Sequence, residues 1–570
     1  LNLSDARADA PGLQGSPRLS SVGIRFINDE SVERIQLMTE RRISFLSFPL
    51  SRPPLWFGCA VLAVCVALSL VWLAQGKPSK MIRDGAPPAA HAAHAALDSA
   101  AAPCRLPPSN PPGQPDFAGG DTPQYLNAAY HVFHHATFTQ SSDLGPSPAA
   151  VGREPGYAVF LASLMAINPS FRTFTPNCLA QDGACDRRIY RIIGHANALL
   201  IVLSGICLFA VGTLVTQNTW GGLIAAGYML FNFQMNKGWS DPASDRLAVF
   251  FVSLSLLATT MAWRRNTFGS WARVGLAMAA LTLIKAIFVW YALFGAIAFL
   301  IVVCLMSSRR RRSIGLAFSA AVIVYALAIG GWMARNWAIE GHPRLTDLRS
   351  GVALSTREVF DDMTSTQYLA SFLYWMRGPG PGLAKTVFSA QVVAPFDLDQ
   401  CAGFYDRGQN GYFRRLSAIQ RAGDHNPYTA SKVLDHEIER SILEHPLAHI
   451  ATTVPLFYRG IWIDEFIVIG FPVFCWIWVR AVRRRQTLRI VLLSIGAFNL
   501  LFYALFSLNI PRYQMTALPT LALAAALASV DAIHAYRQRL FDRQRIRSDA
   551  AIFSNTPTAL TMSNLTRLQR

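Results

Sequence analysis

An acid and a base stand about one loop apart in two short polar motifs: Asp121 in Gly120-Asp121-Thr122-Pro123-Gln124-Tyr125-Leu126, and Arg153 in Gly152-Arg153-Glu154-Pro155-Gly156-Tyr157. Each precedes a proline and an apolar run, the signature of a helix start. Asp121 therefore serves either as a cap that accepts backbone N–H bonds or as a general base on an incoming hydroxyl beside Tyr125, and the two roles are compatible. Arg153 is either an anchor at a lipid headgroup or a phosphate clamp, for which its planar fork of donors is suited. Glu154, its neighbour, makes a local ion pair or joins the chemistry.

Further charges stand in otherwise apolar surroundings. Lys285 is alone in the stretch 274–305, so it either lines the protein interior or snorkels to the interface, because exposure to hydrocarbon is costly. Arg335 (in Trp332-Met333-Ala334-Arg335-Asn336-Trp337) and Arg512 (in Asn509-Ile510-Pro511-Arg512-Tyr513) each adjoin a long apolar run. They are anchors or further parts of the clamp. Asp241 and Asp245 bracket Pro242-Ala243-Ser244 and either cap a helix or supply a second acidic position for an acceptor or a metal.

What must position these residues is a membrane-embedded scaffold. Over 570 residues, hydrophobic side chains make up 52% and charged ones 15%, and mean hydropathy is +0.28. That composition excludes an ordinary soluble domain and predicts an all-α polytopic membrane protein. The net charge of +18 does not point to nucleic acid, since the excess is clustered beside apolar runs at Arg264/Arg265, Arg309 to Arg312, Arg483 to Arg485 and Arg537 to Arg547. That is the positive-inside pattern.

Residues 55–74 form a first span of about 20 residues, enough for the ~30 Å hydrocarbon core. It starts too far into the chain, and lacks the cleavage site, to be a removable signal. Met38-Thr39-Glu40-Arg41-Arg42 reads as a natural start, with the residues before it expected to be unstructured or outside the native protein. The Ala/Pro-rich stretch 77–115 reads as loop. Helices at 121–135 and 155–167 are expected to lie along the outer membrane surface. Spans follow at 195–216, 221–233 and 247–263; at 274–305, a hairpin with Lys285 near its outer turn; and at 314–332, 462–479, 492–508 and 515–533. About ten spans with both termini inside satisfy every arginine cluster and put Asp121, Arg153, Lys285, Arg335 and Arg512 on the outer side.

The expected organisation is a cytoplasmic segment 1–52, an N-terminal transmembrane module 53–350, an extracytoplasmic lobe 351–455, C-terminal membrane helices 456–535 and a basic cytoplasmic tail 536–570. Cys178 and Cys185 are close enough to pair in an oxidising compartment. A zinc site from His91, His94, His131, His134 or His135 matches no familiar ligand spacing. A divalent metal is therefore possible but not indicated, and no cofactor is required.

At these residues the chain resembles the GT-C fold glycosyltransferases, in the branch of the protein O-mannosyltransferases and the aminoarabinose transferase. The matching segments are the Asp121 and Arg153 motifs, Arg153 continuing to Leu161, then Trp332 to Trp337 and Pro511-Arg512-Tyr513, in the family's order. The resemblance implies that Asp121 is the catalytic acid of the first loop, that Arg153 takes the lipid-phosphate-binding position, and that Asp245 or Asp241 matches a second acidic position. The chain departs from many relatives in having Thr122 rather than a second acid after Asp121, a long loop before it, and Lys285 where Arg-Pro is common.

The resemblance implies an inverting transferase that moves a sugar from a polyprenyl-phosphate donor to an acceptor on a glycan, lipid or protein. The active site would face the periplasmic or extracytoplasmic side of the inner (plasma) membrane. A phosphate leaving group needs positive charge rather than a general acid, which Arg153, Lys285, Arg512 and Arg335 are available to provide. The alternative from another class is a polytopic lipid or sugar transporter; it would show internal repeats and polar groups near the midplane, whereas the sequence has no repeat and its charges collect at one boundary.

Overall fold

The computed structural model describes residues 54–75, 121–180, 185–237, 241–304, 308–346, 349–398, 400–423, 427–463 and 467–555, all within the compact unit Pro53–Arg570. The expectations for residues before Met38, the loop 77–115, His91 and His94 and the end of the basic tail lie outside the described residues. Every regular element among those described is helical. Hydrocarbon offers no partner to an exposed backbone group, so apolar runs of this length close their hydrogen bonds internally.

In chain order the principal helices are α1 (Leu55–Gln75), α2 (Asp121–His135), α3 (Pro155–Ile167), α4 (Arg187–Thr216), α5 (Thr219–Leu230), α6 (Asp245–Arg265), α7 (Phe268–Ile284), α8 (Phe288–Cys304) and α9 (Ser308–Glu340). A run of shorter helices follows: α10 (Arg349–Glu358), α11 (Ser365–Tyr374), α12 (Gly380–Phe388), α13 (Gly411–Ala422) and α14 (Pro427–Glu444). The chain then returns through α15 (Pro446–Ile461), α16 (Ile467–Arg483), α17 (Thr487–Phe506) and α18 (Leu518–Asn555).

Five stretches among the described residues are long and apolar enough to cross a membrane: Arg188–Thr216, Asp245–Arg265, Ser313–Glu340, Thr487–Phe506 and Pro511–Arg543. The chain is a membrane protein. Each of the ten expected spans overlaps a helix among the described residues, but several of these helices are shorter than a full crossing. The 12 residues of α5 rise ~18 Å, against ~30 Å of hydrocarbon. The stretch 274–305 falls on two 17-residue helices, α7 and α8, separated by a break that starts at Lys285, the C-cap of α7. One face of α8 presents Trp290, Phe294, Ile297 and Ile301 outward, as suits contact with lipid.

Helix α2 departs from the expected surface helix. Gln124 to His131 are buried without interruption, which a helix lying on a surface with one wet face cannot achieve. The loop 136–151 covers its polar side: Asn127 donates to the Gln140 carbonyl at 3.3 Å, and the His131 ring Nε2 meets the Ser141 carbonyl at 3.2 Å.

The main core gathers Tyr125, Tyr157, Leu161, Ile284, Phe288 and Leu518 from α2, α3, α7, α8 and α18. A second joins Phe360, Trp375, Phe396 and Phe404 of the middle region to Leu456, Ala504 and Leu508 of α15, α17 and the segment after it. Gly156 sets the approach of α3 to α7: a Cβ there would stand 2.7 Å from the Ile284 side chain and 2.8 Å from the Leu283 carbonyl. Cys178 and Cys185 form a disulfide, Cα atoms 4.7 Å apart.

Candidate active site

Asp121 opens α2, and Arg153 sits at the turn before α3. Their side chains meet, Arg153 Nη2 lying 2.6 Å from Asp121 Oδ1. Arg153 Nε donates to Gln124 Oε1, and its guanidinium lies 5.2 Å from the centroid of the Tyr125 ring. Tyr125 in turn stands edge-on to Tyr157 at 5.1 Å. Arg153 is buried, and its Nη1 is without a hydrogen-bond partner among the described residues. Thr122 Oγ1 donates to the Pro242 carbonyl at 3.3 Å, which ties the start of α2 to the loop that leads into α6.

Asp245, the first residue of α6, is only 3% exposed in its side chain. Two cations hold it: Lys285 Nζ at 2.8 Å from Oδ1 and Arg512 Nε at 2.6 Å from Oδ2. Arg512 also reaches Asp121, its Nη2 lying 3.7 Å from Oδ2. The result is one continuous alternation, Arg153–Asp121–Arg512–Asp245–Lys285, assembled from five separated stretches of the chain. Three cations and two carboxylates make up the alternation, and the buried Glu154 carboxylate stands at the turn after Lys285. The Lys285–Asp245 end is closed, while Asp121 and Arg512 are 32% and 41% exposed.

Each position has a local cause. Asp121 and Asp245 are both first-turn acids, where the helix N-terminus favours negative charge. Lys285 falls where α7 ends in extended backbone. Glu154 braces that same turn, its Oε1 accepting from the Ala286 amide at 3.3 Å. Arg246, next to Asp245, donates instead to the Lys237 and Met235 carbonyls at 2.6 and 3.3 Å.

Two of the sequence candidates stand apart from this alternation. Arg335 donates to the Ala150 and Phe138 carbonyls at 2.9 and 3.2 Å and stacks 4.7 Å over Trp332, so it staples α9 to the loop 136–151. The Asp241 carbonyl accepts from Asn197 at 3.1 Å, and its carboxylate Oδ1 is buried without a hydrogen-bond partner among the described residues. No group of three His, Cys, Asp or Glu among the described residues is arranged to hold a metal ion. His131 and His135 face the Ser141 and Leu144 carbonyls, and His134 packs on Tyr130.

Sequence reasoning missed two neighbours of the site. Gln124 lies one turn on from Asp121, on the same helix face, and that spacing was a usable signal. Tyr405, in the middle region, had none. Burial, then the neighbouring Tyr513 and Asp121, push its phenol up to about 12, with Arg512 acting in the opposite direction. These interactions bring the middle region to the exposed end of the charge alternation.

No family model matches the chain, and no curated protein matches it. Among solved structures it is similar to the Archaeoglobus fulgidus oligosaccharyltransferase with Zn and sulfate, at 14% identity and a TM-score of 0.38, over 73% of this chain and 46% of that one. The same archaeal enzyme, AglB, with an inhibitory peptide and a dolichol-phosphate matches at 12% identity and a TM-score of 0.35, over 73% and 47%. The chain thus spans about half the length of that enzyme. ArnT from Cupriavidus metallidurans in the apo state matches at 13% identity and a TM-score of 0.29, over 72% of this chain and 73% of that one. Both of these similar proteins are GT-C fold glycosyltransferases.

Proposed function

We propose that the protein is an inverting glycosyltransferase that moves a sugar from a polyprenyl phosphate to an acceptor hydroxyl or phosphate on the outer side of the membrane. The observation that carries this reading is the five-charge alternation, with its open end at Asp121 and Arg512, where two guanidinium groups flank one carboxylate. A lipid-linked phosphate brings negative charge to a membrane boundary, and fixed guanidinium groups there are its natural receptors.

In the reaction, the acceptor oxygen forms a bond to the anomeric carbon while the bond from that carbon to the phosphate oxygen breaks. The electron pair leaves on the phosphate, and the acceptor proton goes to Asp121. Arg512 and Arg153 supply positive charge where the phosphate dianion develops; Lys285 acts behind them by holding Asp245 and, through it, Arg512. A carboxylate is a weak base, with an ordinary value of about 3.9, so proton transfer comes late, once the sugar carbon has withdrawn charge from the attacking oxygen.

The reading takes the ten membrane helices with both chain ends in the cytoplasm, the middle region 351–455 as an outer lobe, and the isoprenoid tail lying between helices. The acceptor is a glycan, lipid or protein. The test is transfer of labelled sugar from a polyprenyl phosphate in liposomes holding the purified full chain. Loss of transfer in Asp121→Asn, with expression and folding kept, supports the reading; full activity in that variant overturns it, and movement of the lipid-linked sugar across the bilayer without transfer would make the protein a transporter.

A further inference from the structure

The proposed donor site depends on Arg512, and Arg512 is delivered by a short non-helical stretch, residues 507–510, between α17 and the turn Pro511–Ala517. That stretch has little helical hydrogen bonding of its own, so other groups must hold it. They come mainly from one face of α15. Arg459 Nη1 donates to the Leu508 carbonyl at 3.2 Å, and the Leu456 carbonyl accepts from Asn509 Nδ2 at 2.8 Å. Asn509 has a left-handed backbone, φ 48°, and its amide lies so close to Gly460 that a Cβ there would collide with it.

One turn earlier the same job is done by a buried polar cluster. His449 Nε2 lies 3.0 Å from the Leu505 carbonyl, and its Nδ1 lies 2.7 Å from Asp361 Oδ2. The other carboxylate oxygen of Asp361 accepts from Arg357 Nη1 and from Thr452 Oγ1, both at 2.6 Å. Arg357, fully buried, extends Nε to the Ala504 carbonyl at 3.0 Å. The cluster thus locks three things together: the segment 357–362 of the middle region, α15, and the last turn of α17 that launches the Arg512 stretch.

Both ring nitrogens of His449 face acceptors, a carboxylate on one side and a carbonyl on the other. Such a ring is satisfied only with a proton on each nitrogen. The charged groups around it are Asp361 and Arg357, with Glu358 and Asp362 on the same segment and Arg459 further along α15; α17 offers only the Ala504 and Leu505 carbonyls.

We propose that His449 is a positioning residue for Arg512: its ring, held by Asp361, clamps the end of α17 so that the 507–510 stretch presents Arg512 to the lipid phosphate. The proposal rests on the donor-site reading above. Without that ring the end of α17 is released, and productive binding of the lipid-linked sugar falls with it.

Two readouts on the purified full chain in detergent or liposomes test this. The first, independent of catalysis, is hydrogen exchange of residues 505–513 in the wild type and the variants, with residues 136–151 as an internal reference. Protection of 505–513 is high in the wild type and falls in both His449→Gln and Asp361→Asn, while the reference residues are unchanged. The second is transfer kinetics: in His449→Gln, kcat/KM for polyprenyl-phosphate sugar falls about tenfold, the loss of one hydrogen bond to a charged group, with kcat falling too, because Arg512 meets the charge that develops on the phosphate.

Wild-type protection of 505–513 in His449→Gln overturns the proposal. If His449→Gln does not fold, Asp361→Asn decides on the same two readouts. Asp121→Asn separates the two readings: full transfer in that variant defeats the catalytic assignment, while introducing His449→Gln beside it still lowers protection at 505–513 if the clamp is real.

Discussion

Asp121 and Arg153 are 32 residues apart in sequence and bonded in space, Nη2 to Oδ1 at 2.6 Å. The acid and the base that could do chemistry are therefore one unit, and Arg512 links that unit to the buried Asp245. A shared centre of this kind makes the effect of each substitution depend on which end of the alternation it touches.

At the open end the expected losses are catalytic. Asp121→Asn keeps the shape and removes the base, so transfer falls by at least about 100-fold, the lower range for a general base, and thermal stability falls as well, because the buried Arg153 loses its counter-charge. A radiolabel transfer assay beside a melting curve checks both.

At the closed end the expected losses are of stability. Asp245→Ala leaves Lys285 buried and uncompensated, which costs about 3–5 kcal/mol. Lys285→Met together with Asp245→Leu recovers much of that stability but not activity, because Arg512 has lost its anchor. The check is thermal unfolding in detergent of the singles and the double.

Gly156→Val drives a side chain into the Leu283 carbonyl and Ile284, both at the end of a helix that cannot easily give way. Overpacking of this kind costs about 1–3 kcal/mol. Glu154 would move off the Ala286 amide and Arg153 off Asp121, so transfer falls further than stability does; activity per folded molecule measures the difference.

The Asp361 carboxylate has its own pH signature. Burial alone would raise its pKa, but the hydrogen bonds from His449 and Thr452 and the charge of Arg357 outweigh burial and hold it below the usual value. A depressed folded value means that the carboxylate contributes stability above its unfolded value of about 3.9 and loses it as pH falls through the lower folded one. Asp361→Asn is thus expected to lower the melting temperature at neutral pH and to flatten its dependence on pH at the acid end, as read by melting curves across that range.

The helices were legible because burial and period are local properties. The apolar runs at 247–263, 314–332 and 515–533 lie within the long crossing stretches, and that at 492–508 runs two residues past the end of one; the break at Lys285 follows from one charge in an apolar run. Asp121, Arg153, Lys285 and Arg512 stood out for the same reason. The burial of α2 was not legible, because its polar side is covered by a loop whose path no helical period encodes.

What the sequence by itself determined is a set of helices, their membrane character and a short list of charges that are costly to leave in hydrocarbon. Only the tertiary structure decided which of those charges meet. Arg512 bonds to Asp245 across 267 residues, Arg335 turns instead to the carbonyls of the loop 136–151, and His449 finds Asp361 from another part of the chain. The physical reason is that a buried charge states its need for a partner locally, whereas the identity of that partner depends on which helices pack side by side.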